Sequence, residues 1–160
     1  GDTLEAKYPQ LIHQWFGEVK RLHVDSSAEL SVVDGYQIRI VTEKPDVDEQ
    51  TPALYFVNFG GYKPGTFGEF HEMSFYVGHN RKEITSKAKQ QLCAGQYQQH
   101  CDDQHIIDVD DLIEIGQVGE HYIQLEPTTL PNQIIIESNY RRLDKPDIIT
   151  EAEKLKAITY

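Results

Sequence analysis

The chain has 160 residues, 39% apolar and 26% charged, ordinary for a folded domain and enough to bury a core without staples. Lys and Arg number 15 against 26 Asp and Glu, a formal charge of −11, which argues against nucleic acid and anionic membrane surfaces as partners. No run approaches the roughly 18 apolar residues of a membrane span, no signal peptide opens the chain, and two cysteines are too few for a disulfide scaffold. A cytoplasmic protein with reduced thiols is the expectation.

Residues 3–16 place Leu4, Leu11, Ile12, Trp15 and Phe16 at roughly helical spacing, with Thr3 suited to the N-cap and Gly17 to the stop. Pro9 either kinks that helix or moves its effective start to Tyr8. Trp15 and Phe16, beside His13, read as core at the end of an amphipathic helix, with an aromatic binding patch as the alternative. Strands are expected over 28–33 and 36–41, because Asp34-Gly35 between them is the strongest short hairpin signal in the chain. Residues 43–52 are acidic, polar and bracketed by prolines, the composition of a linker. A second hairpin follows over 54–59 and 69–77, joined by a loop rich in glycine. Next come a helix over 83–92 with Ile84, Ala88 and Leu92 as its apolar stripe, a polar loop over 94–104, and strands over 112–115, 122–125 and 132–137. Thr150 and Glu153 have capping-box spacing and open a last helix toward Ile158.

The two halves repeat. An ungapped alignment of residues 22–40 with 107–125 pairs Val24 with Val109, Asp25 with Asp110, Glu29 with Glu114, Val33 with Val118 and Ile38 with Ile123. The preceding helices pair Leu4 with Ile84, Lys7 with Lys87, Gln10 with Gln90 and Ile12 with Leu92. An internal duplication is therefore expected. The units are residues 1–42, a linker over 43–52, a second unit over 53–127, and a C-terminal extension over 128–160 with a final strand and helix. Gly1-Asp2, with no initiator Met, corresponds to Gly78-His79, so the first copy lacks the hairpin that leads the second. Either further residues precede it, or that place in the sheet is filled another way, by a second chain for example. An open edge invites association, and a homo-oligomer is the expected partner state.

The stretch YFVNFGGYKPGTFGEFHEMSFYV ahead of a helix, together with YPQLIHQWFG, LHVDS and VDGYQI, resembles the bacterial family catalogued as domain of unknown function 1543. The similarity runs to about Pro127. It implies a relative in fold whose members begin with a GG-containing strand and a second strand ahead of the first helix. It carries over no activity, substrate, cofactor or catalytic residue.

Three groups of residues are candidates for chemistry. Gly60, Gly61, Lys63 and Gly65 suggest an anion cradle, because glycines let backbone N–H groups approach a phosphate or carboxylate and Lys63 adds charge. The GxxxxGK[ST] spacing is missing and no helix follows directly, so the plainer reading is a wide hairpin turn with glycines at positive φ. Glu69 and His71 stand two apart on a strand and emerge on one face, with His79 nearby as a third member. They are the weak catalytic candidates, as an acid/base pair, against a simple solvated polar pair; His23 and Asp25 repeat their spacing. Cys93, His100, Cys101 and His105 are the weak metal-ligand candidates, but C-x7-C-x3-H is not a zinc spacing. A helix end followed by a polar loop accounts for them more simply. No HExxH or GxSxG motif is present.

The fold expectation is α+β: an internally duplicated unit of antiparallel strands plus one helix, the helices packed on one face of the sheet. The functional expectation is a non-catalytic binding or assembly module of the bacterial cytosol, recognisable by an exposed apolar patch or an open sheet edge. The alternative is a small-molecule enzyme or ligand-binding protein using the 60–68 loop and the Glu69/His71 strand, which requires both side chains in one concave pocket. No cofactor is implied, and a small anion is the one ligand suggested.

Overall fold

The computed structural model describes residues 3–62, 65–92 and 109–158. In chain order the elements are a single 3-10 turn (Glu5–Lys7), α1 (Tyr8–Gln14), β1 (His23–Val33), β2 (Tyr36–Val41), β3 (Ala53–Tyr62), β4 (Glu69–Gly78), α2 (Arg81–Gln91), β5 (Val109–Ile115), β6 (Gln117–Val118), β7 (His121–Pro127), β8 (Gln133–Arg142) and α3 (Pro146–Ile158). The class is α+β. Two compact units form, Gly1–Glu29 with Ile135–Tyr160, and Leu30–Ile134. The C-terminal residues from Ile135 group with the first helix, and residues 43–52 belong to the second unit.

The terminal unit is built on α1 and α3. Thr3 Oγ1 accepts from the Ala6 N–H at 3.4 Å, and Pro9 sits in the first turn of α1, where a missing N–H breaks no helical bond. Tyr8, Ile12, Leu143 and Ala152 form the buried centre, with Leu4, Val24, Ile148 and Ile149 packed around it. Trp15 and Phe16 depart from expectation. The backbone turns extended at Trp15 (ψ 130), so the apolar stripe ends before it reaches them. Phe16 is 93% exposed and Trp15 41%; their rings pack on each other at 4.8 Å, and Trp15 Nε1 donates to the Glu18 carbonyl. The last helix also starts earlier than its capping-box spacing suggested. Pro146 opens α3, and Thr150 lies inside it with its hydroxyl donating to the Pro146 carbonyl at 2.8 Å.

The central unit has three layers. β3 pairs antiparallel with β4 on one side and β5 on the other. Alternation along β3 sends Tyr55, Val57 and Phe59 to one face, where they meet Ile84, Ala88 and Leu92 of α2. The helix stripe read from sequence is the one that is buried. Leu54, with Phe75, Val77 and Ile115 from the flanking strands, faces the opposite way and packs on Val33, Ile38, Ile123 and Leu125. Those residues belong to a second sheet with strand order β6-β7-β2-β1-β8. Fully burying a side chain such as Phe59 or Ile84 stabilises by about 1.5–3 kcal/mol, and both are 0% exposed.

The Asp34-Gly35 hairpin signal is realised, and α2 gains a cap that was not expected from the sequence. Asp34 and Gly35 adopt φ of 51° and 80°, the positive pair that a type I′ turn needs. Asn80 caps α2 by accepting from the Glu83 N–H at 3.0 Å, while Glu83 Oε2 accepts from the His79 N–H at 2.9 Å. The two bonds satisfy two otherwise orphaned donors at the helix start.

Candidate functional site

The hairpin that gathers the candidate residues is longer in its strands and shorter in its loop than expected. Gly60 and Gly61 lie inside β3, buried, opposite His71 and Phe70 in the ladder. A ladder needs only backbone, so glycine does not end the strand. Gly65 and Gly68 hold positive φ of 78° and 124° at the tip, and a Cβ added at either would meet open space. Lys63 lies outside the described residues. The tip exposes Phe67 completely.

Glu69 and His71 share a face of β4 and are both exposed. His79, grouped with them in sequence, stands at the other end of the strand. Eight residues of extended chain separate it from His71, about 26 Å at the usual rise. His79 is committed to the α2 cap through its N–H, and its ring Nδ1 lies 2.8 Å from the Gln50 carbonyl. The structure therefore divides this trio. Cys93, His100, Cys101 and His105 all lie outside the described residues; among the described residues no three His, Cys, Asp or Glu side chains come together as a metal site. His23 and Asp25 do pair, at 3.4 Å, and the His23 ring lies against Tyr140 with centroids 4.5 Å apart.

Two hollows in the central unit were not foreseen. The larger, about 700 Å³, runs between residues 44–54 and the β5–β7 segment. Leu54, Ile115, Ile123 and Leu125 give it an apolar floor, and Asp46 and Glu114 stand among its acidic linings. A smaller one of about 320 Å³ adjoins Val41–Pro45 and Gln124. The wall is ordered by a turn at Asp48, whose carboxylate accepts from the Thr51 hydroxyl at 2.7 Å and the Gln50 N–H at 3.0 Å. The hydroxyl bond foremost, then the N–H, holds the Asp48 carboxyl below the usual range. Asp48 and Thr51 mark such a turn in the sequence, but only tertiary pairing of β3 with β5 brings the opposite wall. Neither Glu69 nor His71 lines either hollow.

A third feature is the node at Asp34. Its side chain accepts from the Val77 N–H at 2.9 Å and pairs with Lys87 Nζ at 2.7 Å. The Asp34 N–H in turn donates to Asn132 Oδ1 at 2.8 Å, and Lys87 lies over the Tyr76 ring. One turn residue thus ties β1–β2 to β4 and α2.

The fourth is the edge strand β8, at the end of the five-stranded order. It is ten residues long without proline or glycine, the length and composition of a pairing-competent edge. Ile135, Ile136 and Tyr140 are 60%, 62% and 57% exposed. Glu137 and Arg141 form an ion pair along the strand. Arg142 grips Asp144 with two bonds of 2.8 and 2.6 Å, and Asp144 also accepts from the Arg21 N–H at 3.1 Å. The Arg142 bonds foremost, then that N–H, hold the Asp144 carboxyl far below the usual carboxylate range.

No curated protein matches the chain. It is similar to the solved structure of protein Il1583 from Idiomarina loihiensis, at 28% identity and a TM-score of 0.61, over 91% of this chain and 81% of that one. The model of the Domain of Unknown Function family DUF1543 matches residues 1–40 and again 67–125. Those two segments make up more than half of the chain, and the protein belongs to the DUF1543 family.

Proposed function

We propose that the protein is a non-catalytic binding or assembly module of the bacterial cytosol, homo-oligomeric, working through an open sheet edge. The observation that carries this reading is β8, an edge strand exposing two consecutive isoleucines and a tyrosine. Monomeric proteins often blunt such edges with proline or with very short strands; β8 has no proline and runs for ten residues. The enzymatic alternative asks for Glu69 and His71 inside one concavity. They stand instead on the exposed face of a strand, away from both hollows. No described helix is long and apolar enough to cross a membrane.

Native mass spectrometry of untagged protein, without chelator and at two concentrations, tests the reading. It expects a dimer of bare polypeptide mass that grows with concentration. A monomer carrying the extra mass of a metal or an organic molecule would overturn it.

A further inference from the structure

We propose that the partner at β8 is a second copy of this chain, paired antiparallel so that Glu137 of each copy stands opposite Arg141 of the other. The inference rests on the assembly reading and specifies the partner and the register.

The first support is a template within the molecule. The β1–β2 hairpin pairs Val32 with Gln37 and Val33 with Tyr36. The β6–β7 hairpin pairs Gln117 with Tyr122 and Val118 with His121. Each pair maps onto its counterpart at the offset of the sequence repeat, so β1 corresponds to β5 and β6 together. Beside β5 lies β3, and beyond β3 lies β4. Beside β1 lies β8, in the place of β3, and among the described residues nothing lies beyond it. The sequence left open what would fill the missing hairpin's position. The C-terminal strand takes the inner place, and among the described residues no strand occupies the outer one.

The second support is charge. Strand β8 reads Ile135-Ile136-Glu137-Ser138-Asn139-Tyr140-Arg141-Arg142. A two-fold through Asn139 preserves which face each side chain occupies. It sets Glu137 opposite Arg141, Ser138 opposite Tyr140, and Ile136 opposite the aliphatic stem of Arg142. Glu137 and Arg141 already pair along one strand, so two copies bring four charges together with opposite signs adjacent, which stabilises directly facing positions. Backbone bonds supply the affinity of such an edge pairing and the side chains its register. The resulting interface is isologous and closes at two chains.

Sedimentation of mixed variants tests this. Glu137→Arg alone and Arg141→Glu alone each set like charges opposite one another twice, and each dimerises about tenfold more weakly than the parent. Mixing the two restores opposite charges across the interface, while the pair along each strand stays broken. A heterodimer in the mixture is the expected result and separates pairing between chains from pairing within one. Circular dichroism checks that each variant folds. Should either fail, Ile136→Glu, which faces Arg142, strengthens dimerisation and Ile136→Lys weakens it; both change a largely exposed side chain. A parent dimer unaffected by all these changes would overturn the β8 pairing and leave the assembly reading standing. A parent that is monomeric at every concentration would overturn both.

Discussion

Replacing Asp34 probes the node on which the central unit turns. Its carboxylate serves Lys87 Nζ at 2.7 Å and the Val77 N–H at 2.9 Å. Its own φ of 51° lies in the left-handed region. Alanine removes a charge-assisted hydrogen bond, about 1.5–3 kcal/mol, and leaves the N–H of Val77, a residue only 4% exposed, without its acceptor. A left-handed alanine adds about 1 kcal/mol. Lys87, 32% exposed at its side chain, recovers part of its hydration, which trims the total to about 3 kcal/mol. Asparagine tolerates the backbone and keeps an acceptor, so Asp34→Asn costs about 1–2 kcal/mol. Urea titrations followed by circular dichroism read the difference. At a slope of about 2 kcal/mol/M, Asp34→Ala lowers the midpoint by about 1.5 M. A double-mutant cycle with Lys87→Met isolates the ion pair, with a coupling of about 1 kcal/mol. Equal midpoints for Asp34→Ala and Asp34→Asn would refute the assignment of Asp34 as a node.

Other perturbations test other parts of the account. Gly78→Ala places a Cβ 2.7 Å from Ile84 Cδ1, and Ile84 is wholly buried; overpacking of about 1–3 kcal/mol follows, seen as a lowered melting temperature. Asn80→Ala removes the cap of α2 and costs about 1 kcal/mol, measurable as faster amide exchange in the first turn of the helix. The single Trp, Trp15, is 41% exposed, so its native fluorescence is readily quenched by acrylamide and shifts little on denaturation. Asp144, with its folded pKa depressed by Arg142, contributes stability that is present above the ordinary carboxylate range near ~4. That contribution is lost as pH falls toward the folded value. The stability difference between the parent and Asp144→Asn therefore shrinks on acidification below about pH 4, and a difference that grows would contradict the pairing.

What the sequence made legible was local. Asp34-Gly35 announces its hairpin because few residue pairs accept two positive φ values in succession. Ile84, Ala88 and Leu92 announce the buried face of α2 because one helix turn separates them. Errors arose where the next residue's environment was decided at a distance. Gly60 and Gly61 read as loop, yet the β4 ladder extends through them. Trp15 read as core, yet the helix stops one residue before it. Thr150 read as a cap, yet Pro146 had already set the helical φ. His79 read as a companion of His71, yet a strand's length lies between them and the α2 cap claims its N–H. The hollow beside residues 44–54 and the pairing of β8 with β1 join segments far apart in the chain, and no local pattern encodes either.

Amide hydrogen exchange along β8, followed on dilution, tests the central claim most directly. Alternate amides between residues 136 and 142 should exchange slowly in concentrated protein and quickly in dilute protein, while those of the edge strand β4 do not depend on concentration. Exchange along β8 that is equally fast at every concentration would contradict an assembly built on this edge.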